Sequence, residues 1–155
     1  MGFFDKIKGA VNAVTGGAAK VEIEFMPMIA MPGEKIRVKI KATSTGAEVK
    51  SQGIFVDLNG MERVKLDRGV ATGVDSNVSL SKATYESAIA FAPAFVLAAG
   101  ETKVFEGTIE IPMAAQPSYA GAYTSHEWNI RGRLEAFGND PDSGYLQIKI
   151  GAKPN

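Results

Sequence analysis

The chain contains no cysteine, which excludes disulfides, thiolate nucleophiles and cysteine-bound metals and suits a reducing compartment. It has a single histidine, His126, so no site can be built from several imidazoles. Net charge is missing too. Across 155 residues, 17 Lys and Arg balance 17 Asp and Glu, leaving no global attraction for nucleic acid. The longest apolar run, Ala88 to Gly100, falls short of the ~20 residues a membrane helix needs and is interrupted by Pro93. The first residues lack the basic start, apolar core and cleavage site of a secretory signal. Lys6 stands where a myristoylation motif after Gly2 would have Ser or Thr. Neither a Walker-type loop nor a dinucleotide glycine fingerprint occurs. Together these absences predict a cytoplasmic protein with no catalytic residues, no metal, no cofactor and no stable membrane insertion.

What is present is patterning. With 45% hydrophobic and 22% charged residues, the composition is that of a folded globule, and the length fits one domain. Residues 3–14 (FFDKIKGAVNAV) place Phe3, Phe4, Ile7, Ala10, Val11 and Val14 on one helical face, with Gly16-Gly17 as a stop. A helix of about three turns is marginal alone and must dock, on its own domain, a partner or a membrane surface. Phe3, Phe4 and Ile7 are therefore candidate contact residues. The expected division is an amphipathic helix over 1–16, a sandwich over 17–151 and a tail over 152–155.

From Lys20 the period becomes two. Val21, Ile23 and Phe25 alternate with Glu22 and Glu24, and Ile36, Val38, Ile40 and Ala42 alternate with Lys35, Arg37, Lys39 and Lys41. Ile54, Val56 and Leu58 continue the pattern into Asn59-Gly60, a hairpin signal. Residues 67–84 are weakly patterned and are expected to form a long, mobile surface excursion. Pro93 predicts an edge strand, a bulge or two short strands within residues 89–97. Three further alternating segments follow between Glu101 and Ile150, the second carrying Trp128 and the last ending at Ile150. Seven to nine short strands with regular turns predict an all-β, two-sheet sandwich or a barrel.

Three stretches carry a resemblance beyond this generic pattern. GAAKVEIEF with MPGEKIRVKIKA, then GIFVDLNGMERV, then AAGETKVFEGTIEIPMAAQPSYAGAYTSHEWNIRGRLEA, in that order, resemble arrestin-like β-sandwich proteins. The similarity extends to the bacterial sporulation-control family of that class. It covers nearly all of residues 17–150 and implies an immunoglobulin-like sandwich acting as a protein-binding adaptor or regulator. Both groups carry two sandwich domains, whereas this chain has room for one. Its first strand presents Lys20, Glu22 and Glu24 instead of the paired lysines of arrestin phosphate sensing, so that sensor does not transfer.

Candidate chemistry is sparse. His126 fits a sheet end or core margin, since a general base would need a nucleophile that the sequence lacks. Asn139, Asp140, Asp142 and Ser143 make either a tight turn or a calcium loop lacking EF-hand spacing. The stripe Lys35, Arg37, Lys39 and Lys41 sets cations ~6.7 Å apart along one strand face. It could serve as a rail for an acidic or extended peptide, or be consumed by cross-strand pairs with Glu22 and Glu24. The expected partners are proteins, with homo-oligomerisation open. A structural subunit docking through its N-terminal helix is the alternative to the adaptor.

Overall fold

The computed structural model describes residues 11–16, 18–138 and 140–153, with backbone only for 11–16. Two sheets pack face to face. The smaller is built from β1 (Val11–Gly16), β2 (Ala19–Met26), β4 (Lys35–Ser44) and β8 (Thr102–Glu110), in the order β1-β2-β4-β8. The larger follows the order β3-β11-β10-β5-β6. Its members are β3 (Ile29–Ala30), β5 (Val49–Leu66), β6 (Val78–Ala92), β10 (Thr124–Ala136) and β11 (Leu146–Ile150). Short β7 (Phe95–Leu97) and β9 (Tyr119–Ala120) pair with β5 and β10.

Alternation decides the packing. Val21, Ile23 and Phe25 of β2 and Ile36, Val38 and Ile40 of β4 are wholly buried against Ile54, Val56, Ile130 and Leu134 of the opposite sheet. Trp128 closes one end of this core, its indole N–H donating to the Gln116 carbonyl at 2.8 Å. Fully burying each such aliphatic side chain contributes about 1.5–3 kcal/mol, so the sandwich stands on these rows.

Several expectations need correction. Residues 11–14, assigned above to a helix, lie in β1, paired from Val11↔Glu24 to Gly16↔Ala19. Valine and threonine suit a pleated strand, and a ready edge on β2 outweighs a marginal helix. Phe3, Phe4 and Ile7 lie outside the described residues. The Asn59-Gly60 hairpin does not form, because both residues sit inside the 18-residue β5. Gly60 is required for packing instead. A Cβ there would stand 3.1 Å from the Trp128 indole and 2.8 Å from the Thr84 hydroxyl.

Residues 78–84 belong to β6 rather than to a surface excursion, and pair with β5 from Leu66↔Val78 onward. Serines at 79 and 81 dilute the apolar alternation there, so the ladder rather than burial defines the strand. Residues 45–48 alone connect β4 to β5. The described residues hold eleven strands, more than the seven to nine expected, because β3, β7 and β9 span only two or three residues. Pro93 does separate two successive strands, β6 and β7. Opposite that break Gly53 takes φ +151°, and a Cβ would meet the Ala92 carbonyl oxygen at 2.8 Å.

Candidate functional site

The sandwich has two outer faces, and each concentrates charge. On the small sheet, Lys35, Arg37, Lys39 and Lys41 do share the solvent face of β4. Register places Glu22 and Glu24 of β2 beside Lys41 and Lys39, and Glu106 and Glu110 of β8 beside Lys39 and Lys35. The stripe is thus one column of a checkerboard. Glu22 accepts from Lys41 at 3.2 Å and from Lys20 at 3.3 Å. Burial alone would push the Glu22 carboxyl up, but hydrogen bonds from Lys41 and Lys20 outweigh it and hold the group below the ordinary glutamate value.

The outer face of the large sheet carries a tighter cluster. Asp57 of β5 lies opposite Arg131 of β10, and Phe55 lies opposite Arg133. Arg131 Nε donates to Asp57 Oδ2 at 2.7 Å, Arg133 Nε to the same oxygen at 3.0 Å, and Arg133 Nη2 to Oδ1 at 3.3 Å. Arg131 also reaches Asp142 at 3.4 Å, and Arg133 reaches Asp140 at 3.5 Å. Each guanidinium lies over a ring, Arg131 at 4.6 Å from the Tyr145 centroid and Arg133 at 5.0 Å from that of Phe55. Such stacking suits the planar, weakly hydrated guanidinium. Burial would lower the Arg131 group, but its bond to Asp57 prevails and raises it. Arg133 is raised chiefly by its bonds to Asp57.

An open groove of about 460 Å³ runs over this cluster toward β6, with Asp57, Arg131, Arg133, Asp140 and Tyr145 on one side and Glu86 and Ala88 on the other. Ala88 and Ala90 of β6 lie opposite Asp57 and Phe55. Ala88 lines the groove, and its small methyl group leaves that space open.

The turn at residues 140–144 is committed to structure. Asp142 Oδ1 accepts the Gly144 N–H at 2.7 Å, Asp140 Oδ1 accepts the Ala136 N–H at 3.1 Å, and Ser143 Oγ accepts the Gly132 N–H at 2.9 Å. With their other oxygens on arginine, the two carboxylates serve the turn. Among the described residues no group of His, Cys, Asp and Glu has the arrangement of a metal site.

His126 is buried at the core margin. Its Nδ1 lies 3.1 Å from the Pro117 carbonyl and its Nε2 lies 2.7 Å from the Thr84 hydroxyl. A carbonyl can only accept, so Nδ1 carries the proton, and in the neutral ring the Thr84 hydroxyl donates to Nε2. The ring ties the crossover before β10 to β6.

Sequence reasoning missed the Asp57 cluster. A lone aspartate inside the apolar run Ile54–Leu58 and two arginines spaced by two on the wet face of β10 were its visible signals.

Two sheets in this order, packed over one shared core, define an all-β two-sheet sandwich. Among solved structures the chain is similar to the sporulation control protein Spo0M of Bacillus subtilis, with TM-score 0.63 and 19% identity over 89% of this chain. That match spans 51% of the Spo0M chain, so this chain corresponds to about half its length. At that identity the likeness establishes the fold. A weaker likeness, TM-score 0.43 at 11% identity over 81% of this chain and 23% of the other, is to a family 123 glycoside hydrolase of Clostridium perfringens and carries no argument. No family model matches the sequence, and no curated protein does either. Among the described residues no helix is long and apolar enough to cross a membrane.

Proposed function

We propose that this chain is a single-domain, non-catalytic cytoplasmic module that binds protein partners and acts as an adaptor or regulator. One observation carries the reading. Among the described residues each sheet ends in strands paired on one side only, β1 and β8 in the small sheet and β3 and β6 in the large one, with β6 and β8 the longest of the four. An unpaired row of backbone N–H and C=O groups takes an extended segment by strand addition. On both outer faces the clustered charges, Glu22 with Lys20 and Lys41 and Asp57 with Arg131 and Arg133, pair with one another, which fits a scaffold better than a catalyst. The β4 stripe, Lys35, Arg37, Lys39 and Lys41, offers a second contact for an acidic segment, in competition with the carboxylates beside it.

Affinity capture with the full chain tests this. A discrete partner is expected, retained by the parent chain and lost when proline replaces Ala88 in β6 or Glu106 in β8. Recovery of nothing but further copies of the chain, in an oligomer that dissolves on deleting residues 1–10, which spares β1, overturns the adaptor in favour of a structural subunit.

A further inference from the structure

The free edges are not equivalent, and β6 has the features of a selective one. Its pairing with β5 skips Thr84 and skips Phe91, so irregularities bound a regular run from Tyr85 to Ala90. Such irregularities end strand addition and define its length. Within that run Tyr85 and Ile89 pack half-buried against the core, whereas Glu86, Ala88 and Ala90 are exposed. A strand added beside β6 would therefore set alternate side chains against an apolar row and against the groove.

The groove is electrostatically one-sided. Its lining holds three carboxylates, Asp57, Glu86 and Asp140, against two guanidiniums, Arg131 and Arg133, and Asp142 reaches Arg131 from beside it. Asp57, Asp140 and Asp142 are paired with those arginines. Glu86, on the edge strand itself, makes no ion pair with any described residue. The strand next to β6 would lie about 4.8 Å away, with its outward side chains directly beside Glu86, Ala88 and Ala90. Because Ala88 and Ala90 present only methyl groups, a long cationic side chain can cross them and bring its head group to the excess negative charge.

We propose that the Tyr85–Ala90 edge takes up an extended peptide with apolar side chains facing inward and basic side chains facing outward, one of them received by Glu86 and the groove over Asp57. This rests on the adaptor reading above and gives it a partner chemistry.

The test uses the full chain and two synthetic peptides, one alternating valine with lysine and one alternating valine with glutamate. Amide exchange is followed with and without each. The lysine peptide should slow exchange across Tyr85–Ala90, and the glutamate peptide should bind roughly tenfold more weakly or worse. Glu86→Lys should reverse that preference, and Glu86→Gln should reduce it, while both retain the parent melting temperature because the side chain is exposed. Equal binding of the two peptides, protection at β8 instead of β6, or no binding of the lysine peptide overturns the proposal. Protection of Tyr85–Ala90 in the peptide-free chain, together with a dimer in sedimentation, assigns the edge to a second copy and overturns it as well. A captured protein partner that protects another surface would sink this edge assignment and leave the adaptor reading standing.

Discussion

Lys41 and Glu22 meet at 3.2 Å on the small sheet with the lysine side chain 47% exposed, whereas Arg133 and Asp57 meet at 3.0 Å on the large sheet with 16% and 12% exposed. Both are cross-strand pairs between opposite charges, yet they work in different media. A lysine ammonium on a flexible stem is a hydrated point charge, and an exposed pair of this kind contributes about 0–1 kcal/mol. On the large sheet one carboxylate receives two guanidinium forks whose planes rest on Phe55 and Tyr145. There the charges are shielded from water, and removing one partner strands the others. The number of ion pairs on a face therefore says little about its stability, and their exposure and shared hydrogen bonds decide it.

Substitutions can break this contrast. Asp57→Ala should have the largest effect, about 2–3 kcal/mol of lost stability, because two half-buried guanidiniums lose their common acceptor. Urea unfolding would measure it, and a loss below about 0.5 kcal/mol would mean that both faces are equivalent. Arg131→Lys should come next, at about 1 kcal/mol, since it keeps the charge while losing the fork and the stacking on Tyr145.

Glu22→Gln should cost under about 1 kcal/mol and should remove part of the acid sensitivity. The Glu22 carboxyl is lowered in the folded chain. Its contribution is therefore present above its unfolded value of about 4.3 and is lost as pH falls through the folded value. Parent and variant stabilities should thus converge in acid, and a gap that stays constant down to acid pH would discard the pairing. The smallest effect belongs to Lys35→Gln, whose ammonium makes no ion pair with a described residue; it should change the melting temperature little while weakening capture of an acidic partner. Unchanged capture would leave the β4 stripe as a solvated, self-paired face.

How far the sequence could be read follows from the same physics. The rows Val21, Ile23, Phe25 and Ile36, Val38, Ile40 were legible because strict alternation leaves one way to bury them. The competing uses of the stripe, pairing with Glu22 and Glu24 or binding a partner, were legible from charge signs on adjacent strands. Its second set of neighbours, Glu106 and Glu110, was not, since β8 lies some 60 residues away in sequence and joins β4 only through topology. Asn59-Gly60 misled because the glycine answers to the Trp128 indole across the sheet rather than to a turn. Residues 11–14 misled because valines three apart share a helical face, a spacing that a strand's period of two does not reward, and only the open edge of β2 arbitrates.

By itself, then, the sequence determined the class of architecture, the two sets of inward side chains and the exclusion of thiol and multi-histidine chemistry. These follow from local period and residue type. Tertiary structure alone decided which charges meet, that Asp57 gathers Arg131 and Arg133, that Ala88 lines a groove beside Glu86, and that β6 is left as a free edge. Those are properties of register and strand order, where residues distant along the chain become neighbours because both sheets must bury the same core.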